Sequence, residues 1–452
     1  MDTKMIAVGM AAVIVIASVA VFVLSEDVEA WPGHDGLEIF GNANGDWSVD
    51  VDDLAYIQAI IDGEEEPNKF ADANRDGKID ERDIAHVQAL IDGDAEFIWI
   101  LDGNGVPVKI GLPVERIGVE YLANAELMNI LGVSDKVVAV DAAAYIMKDF
   151  YFPGKNFTDG QMGQMHSNPN FETIFDMNLD VLFTFSPDTD TKVENLPGTD
   201  VVFLGLYWPN VIDPQDSRFM QGVVKAGYIL DAVDRANDYK DWLEGLVERL
   251  DNVTSGISEE DRPSVLMTSH NRYFGFNGEE NMEASIYTKI DPLSQACILA
   301  GGNPIAQNID NWVGAGGVYG TTVTVEWILE QEPEFIFAHS VRYTYSGLTR
   351  EPAYGYDWDD ISNYTAAVDD MLSRSALGTI PAYQNGNVYI TAGDFRNNAM
   401  GGILGAVYLA KILHPALFAD LDPVAIHQEF VSDWMGLDYN LSTNGVFIAP
   451  AI

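Results

Sequence analysis

One cysteine and few basic residues set the first limits on this 452-residue chain. Cys297 is the only thiol, so an internal disulfide is impossible and no cysteine cluster can hold zinc. No cysteine lies near the N-terminus to carry a lipid. The 24 Lys and Arg face 70 Asp and Glu, a formal charge of −46, which repels polyanions and excludes nucleic acid as a partner. Enzyme signatures are missing too: there is no Walker A, HExxH or GxSxG pattern. Cys297 sits in the apolar run Ala-Cys-Ile-Leu-Ala and reads as core rather than nucleophile. Gly314-Ala-Gly-Gly317 lacks the strand-to-helix setting and basic residue of a phosphate loop, and reads as a cleft loop. The expectation is a non-enzyme.

Long apolar runs are equally scarce. The one of membrane length is Met5 to Leu24, without a charge and long enough to cross a hydrocarbon core of about 30 Å as a helix. It reads as an uncleaved anchor, with a cleaved signal segment as the competitor. Lys4 precedes it and Glu26, Asp27 and Glu29 follow, which puts the bulk of the protein outside. Sequons at Asn156, Asn252, Asn363 and Asn440 fit an exported chain, and the acidic surface suits an archaeal or salt-adapted cell surface. The 47% hydrophobic content is ample for packed cores, and the length suggests roughly three domains.

Two copies of a short unit follow. The first places Asn42, Asn44, Asp46, Ser48, Asp50 and Asp53 at loop positions 1, 3, 5, 7, 9 and 12; the second places Asp72, Asn74, Asp76, Lys78, Asp80 and Asp83 there. Oxygen ligands at this spacing, with position 7 contributing its carbonyl, wrap a hard cation such as calcium, and a hydrophobic residue at position 8 ties each loop to its twin. Leu54, Ile57, Ile60 and Ile61, like Ile84, Val87, Leu90 and Ile91, give each unit one amphipathic helix. These loop-plus-helix pairs resemble the dockerin repeat, the calcium-dependent half of the cohesin–dockerin pair. The resemblance implies calcium as cofactor and a cohesin-type partner; a calcium-folded spacer without a partner is the other reading. Asn42 where Asp is usual and Trp47 where the turn wants Gly imply weaker binding in the first loop. His86 reads as a surface or interface residue.

From Phe97 the pattern becomes α/β, with strands expected at Val137 to Val140, Val181 to Phe185, Val201 to Leu204, Val265 to Thr268, Phe335 to Ala338 and Val388 to Ile390. Phe171 to Ser186 aligns without gaps on Val325 to Ser340: a helix opening near a Glu, an acidic turn, then a strand ending at Ser. Between the copies lies one long helix, Asp234 to Asn252, with apolar Ala236, Tyr239, Trp242, Leu243, Leu246, Val247 and Leu250 on one face. Asp234 reads as its N-cap, and Gly256 and Pro263 as its stop. Two similar α/β lobes joined by one helix imply a cleft beyond the carboxyl ends of the strands.

Residues 97–452 resemble the periplasmic-binding-protein family that serves ABC importers of iron complexes and cobalamin. The stretches DGNGVPVKIGLPVERIGV, LGVSDKVVAVD, NPNFETIFDMNLDVLF, AGGNPIA, VTVEWILEQEPEFIFAH, IPAYQNGNVYI and YLAKILHPALF carry the likeness in the family's order. The resemblance implies two α/β lobes around a metal chelate (ferric siderophore, haem or cobalamin type), with Glu172 and Glu326 docking to permease arginines. The candidate ligand residues are His166 and Trp208, in loops that match the family's cleft-facing ones, and His270, Arg272, Tyr273, Arg342, Tyr343 and Arg396, in loops after strands. Arg and aromatic side chains there suit an anionic, flat chelate. The expected domains are the anchor at 1–30, dockerin-like repeats at 31–96, a first lobe at 97–233, the helix at 234–257 and a second lobe at 258–452. The whole is expected on the outer face of the cytoplasmic membrane; the alternative is a surface scaffold component acting through its dockerin-like module.

Overall fold

The computed structural model describes residues 36–157, 162–164, 168–206, 218–270, 273–274, 282–289, 291–309, 320–340, 355–356, 359–397 and 400–451. The apolar run Met5 to Leu24 lies outside them; among the described residues no helix is long and apolar enough to cross a membrane.

Each repeat unit folds as a loop and a helix, α1 Val51–Asp62 and α2 Glu81–Asp92. Their starts are written in the loops: Asp50 and Asp80 accept the amides of Asp52 and Arg82, while Asp53 and Asp83 reach back to close capping boxes. Left-handed Gly63 and Gly93 end both helices, where a Cβ would be strained. A hairpin then follows that the sequence reading did not resolve, β1 Phe97–Leu101 against β2 Pro107–Gly111. Ile39, just before the first loop, bridges to Ile100 of this hairpin, and Gly111 donates its amide to Asp200 at 2.8 Å. The hairpin thus joins the repeat module to the sheet beyond it.

That sheet is all parallel, in the order β4 Val137–Val140, β3 Ile117–Val119, β5 Val181–Thr184, β6 Asp200–Phe203. Its strands are short, nearly all buried, apolar runs, the composition of a sheet covered on both faces. The second sheet runs β9 Gly320–Thr324, β8 Glu283–Tyr287, β7 Ser264–Ser269, β10 Phe335–His339, β11 Val388–Thr391 and Ile448–Ala449. Its centre is parallel, β7 to β10 to β11, and its outer pairs are antiparallel. The matched segments fold alike: α4 Phe171–Asp176 leads into β5, and α9 Val325–Gln331 leads into β10.

Between the sheets in sequence come α6 Arg218–Ile229 and the long α7 Val233–Thr254. The expected face of α7 is the buried one, with Ala236, Tyr239, Leu243, Leu246, Val247 and Leu250 inside and Trp242 partly covered. Its start differs from expectation. Ala232 is the N-cap, no side chain caps it, and Asp234 lies within the first turn. The close succession of α6 and α7 sets the start, because Ala232 donates its amide to Gly227 at 2.8 Å while accepting that of Ala236 at 3.0 Å.

Candidate functional site

In the second loop, Asp72 accepts the amides of Asp76 and Gly77 at 3.1 and 3.0 Å, Asn74 accepts that of Asp76 at 2.9 Å, and Asp76 accepts that of Lys78 at 3.1 Å. Buried Asp83 accepts the amides of Asn74 and Asp80, and burial raises its pKa. Arg82 is paired with both Asp76 and Asp80. Its hydrogen bonds to Asp80 hold that carboxyl down at about 2. The guanidinium, with Lys78, therefore supplies positive charge beside these carboxylates.

The first loop is satisfied differently. Asn42 is fully buried and donates its amide to the carbonyls of Leu37 and Asp46 at 2.6 and 2.7 Å. Asn44 and Ser48 donate to the Asp46 carboxylate, and Asp53 accepts the amides of Asn44 and Asp50. Burial lifts the Asp53 carboxyl to about 6. The left-handed turn that the second loop makes at Arg75 and Gly77 is made here at Gly45, while Trp47 has no positive φ. The sharp turn therefore falls at position 4, which frees position 6 for a large ring. At position 8, Val49 lies in the core against which Ile79 of the second loop also packs, and Val49 donates its amide to Tyr228 of α6 at 2.7 Å.

Among the described residues no three His, Cys, Asp or Glu side chains are gathered to hold a metal ion as they stand. The donor set nonetheless fits calcium: it is all oxygen, it is arranged around two short loops, and in the second loop a cationic side chain already stands in for the ion. A groove of about 630 Å³ lies beside that loop, lined by apolar Phe40, Ile60, Ile61 and Ile79 and by basic Lys69, Arg75 and Lys78. His86 is half-buried and stacks on Phe97 of the hairpin at 4.5 Å, an interface residue as expected.

At the carboxyl ends of the first sheet, Glu120 follows β3 and Asp141 follows β4. Glu120 is fully buried, 2.9 Å from the Lys192 ammonium, and accepts the amide of Phe185 at 2.9 Å. Asp141 accepts the amides of Tyr121 and Ala144 on the same oxygen, Oδ1, at 3.0 and 2.9 Å. Burial first, and then the nearby Glu120 charge, raise Asp141 to about 7. Tyr121 has a φ of 67°, strained for a large side chain, and its ring stacks on Phe185 at 4.1 Å.

At the carboxyl ends of the second sheet, Arg396 binds the buried Asp291 through Nε and Nη2 at 2.8 and 2.7 Å. Its guanidinium lies 4.6 Å over the Tyr287 ring, and Tyr287 Oη meets His339 Nδ1 at 2.8 Å. His270 is buried and held neutral, its pKa lowered to about 4 by burial and then by the Arg374 charge, which suits a metal ligand better than an anion receptor. Tyr273 has no exposed surface and places its hydroxyl 3.1 Å from that of Tyr383. The second sheet thus gathers Arg396 with Asp291, Tyr287 and His339, and His270 with Arg374.

Five candidates, His166, Trp208, Arg272, Arg342 and Tyr343, lie outside the described residues. Glu172 and Glu326 are exposed in the first turns of α4 and α9, each two residues after a capping side chain, Asn170 and Thr324. Sequence reasoning missed Glu120, Lys192, Asp141, Asp291 and His339. The signal for Glu120 was readable, since it stands directly after the apolar strand Ile117–Val119, the same placement that singled out His270. Asp291 is found only through its ion pair, 105 residues from Arg396.

Comparison with known proteins bears on both parts of the chain. A family model described as a periplasmic binding protein matches residues 119–394, and one described as a dockerin type I domain matches residues 41–92. No curated protein matches. Of the solved structures, the TroA-like periplasmic binding protein FepB from Veillonella parvula is similar with a TM-score of 0.60 and 16% identity, covering 77% of this chain and 98% of that one. MolA, the molybdate periplasmic binding protein of a Haemophilus influenzae ABC transporter, gives 0.56 at 16% identity over 76% and 99%. CeuE of Helicobacter pylori with Ni(II) bound gives 0.53 at 16% identity over 75% and 96%. At such identities the likeness is one of fold.

Proposed function

Because this chain belongs to the periplasmic binding protein family, we propose that it captures a metal chelate outside the cytoplasm and delivers it to an ABC importer. The observation that carries this reading is the set of charged and aromatic side chains at the carboxyl ends of both sheets, where α/β proteins bind ligands. The ligand class is a ferric siderophore, haem or cobalamin. MolA is a molybdate binding protein and CeuE has been solved with Ni(II) bound, and metal-centred ligands are common to both and to this reading. In this proposal α7 is the spine between two lobes, 97–233 and 258–452, and Arg396 and His270 belong to the cleft between them.

Glu172 and Glu326 are the docking carboxylates. Their equal placement in matched helices supports this, because a capping role is already filled by Asn170 and Thr324. Met5 to Leu24 holds the chain to the membrane. Saturable quenching of tryptophan emission by ferric siderophores, haem or cobalamin tests the ligand reading; no response to any of the three sinks it. Replacing Glu172 and Glu326 together by Ala should abolish transport and leave ligand affinity intact, and lost affinity would count against the docking role.

The dockerin match at residues 41–92 favours a second activity, calcium-dependent docking of a cohesin-type partner. Calcium, when bound, supplies the positive charge that orders both loops; the chain's own contribution is the oxygen donors and the capping boxes that hold them. Tight cohesin binding without any small-molecule binding would make the protein a surface scaffold component instead.

A further inference from the structure

The dockerin-like module is not tethered to the binding protein as a separate bead. Its first loop is seated on α6 and α7. Val49, at position 8 of that loop, donates its backbone amide to Tyr228 Oη at 2.7 Å. Glu38 pairs with the buried Lys225 at 2.8 Å, and Gln221 bonds both the Gly36 carbonyl and the Glu38 amide, at 2.9 and 3.1 Å. Trp47, at position 6, lies 5.8 Å from the Lys240 ammonium of α7. Leu37, Ile39, Val49 and Ile57 belong to the same continuous buried core as Val223 and Leu243.

We infer that the first cation loop is an intramolecular joint: a divalent cation bound there stabilises the α6–α7 pair of the binding protein, and the surface it uses is closed to outside partners. The inference rests on the calcium reading of the repeats. Binding fixes the loop from position 1 to position 12, and within it position 8 bonds to α6 and position 6 lies beside the Lys240 ammonium of α7. Whatever opens the helix pair must therefore disturb the loop, and cation affinity opposes that opening. The second loop, with its groove, remains the face offered to a partner.

The test uses the whole chain, with terbium and calcium as probes. Terbium in the first loop should emit when excited through Trp47. At calcium near 100 times its Kd, hydrogen exchange through the coupled opening should slow about a hundredfold in residues 218–229. Asp46→Asn, in the first loop, should abolish that slowing, whereas Asp76→Asn, in the second, should keep it. Tyr228→Phe should weaken the slowing while terbium emission persists. Emission together with calcium-independent exchange in 218–229 overturns the joint and leaves the calcium reading standing. If the first loop binds neither ion, the joint falls together with the calcium reading of that loop. Should Asp46→Asn fail to fold, the wild-type exchange comparison with and without calcium decides alone.

Discussion

Arg82 rests on Asp76 and Asp80, two of the oxygens that a cation in the second loop would need. An exposed guanidinium gains little from such pairs, but it must leave before the ion enters. Arg82→Gln should therefore raise the calcium affinity of the second loop by about two- to fivefold, measured by titration calorimetry on the full chain. An unchanged or lower affinity would mean that Arg82 helps to shape the loop. Asp141 illustrates the opposite case, a carboxyl in no ion pair among the described residues. The amides of Tyr121 and Ala144 go to Oδ1 and that of Ala143 also favours the charged form, yet burial outweighs them and raises the group to about 7. An unfolded Asp titrates near 3.8, so between about pH 4 and 7 the folded protein holds a proton that the unfolded chain releases. Stability then falls as pH rises through that window, by roughly 1.4 kcal/mol per pH unit at the steepest. Asp141→Asn keeps the Oδ1 acceptor and removes the titration. Its pH–stability curve, from denaturant melts between pH 4.5 and 7.5, should be flatter than the wild type's; parallel curves would show that Asp141 is ionised in the fold.

Where local chemistry fixes an element, it is legible in the sequence, and the two capping boxes are the clearest case. Asp50, Asp53, Asp80 and Asp83 were read as cation ligands from spacing alone, and the same spacing makes them start α1 and α2. The buried face of α7 was legible too, because a period of 3.6 residues needs no knowledge of what lies opposite. Its N-terminus was not, since an acid near a helix start looks like a cap whether or not its side chain turns back. Asp234→Ala should accordingly change stability by less than about 0.5 kcal/mol, the scale of ordinary surface substitutions. Asp422→Ala removes an acceptor of the Ala425 amide and should cost about 0.5–2 kcal/mol. Equal losses would restore Asp234 as a cap. The hairpin at 97–111 was legible too, since Asp102-Gly103-Asn104-Gly105 between two β-rich runs is a turn signal, and Asp102 holds that turn by accepting the amides of Asn104 and Val106. Only its contacts with Ile39 and Asp200 are set by tertiary structure. Asp291 with Arg396 and Glu120 with Lys192 escaped because ion pairs joining residues 105 and 72 apart in sequence leave no periodic trace.

Across the molecule, the regions carrying the two sheets are held together at several places besides α7. Arg235, at the start of α7, donates to the Ile130 carbonyl at 2.9 Å and to those of Asp433 and Trp434 at 2.6 and 2.9 Å, and its guanidinium lies 4.5 Å over the Trp434 ring. Glu126 accepts the amide of Met400 at 2.7 Å, capping the helix that begins at Gly401. Phe150 stacks on Tyr356 at 4.1 Å. A hinge closes widely when only a few loop residues cross it; here a stiff 22-residue helix and three separate contacts would have to yield together. Ligand binding should therefore change the radius of gyration by less than about 1 Å, the scale of a preorganised site, as read by small-angle scattering with and without the chelate that quenches tryptophan emission. Arg235→Ala combined with Glu126→Ala removes the Arg235 contacts and the acceptor of the Met400 amide while leaving the candidate ligand residues in place, and should enlarge the change. A contraction of several ångströms in the wild type would show that these contacts break on closure, and α7 would then be a hinge arm rather than a spine.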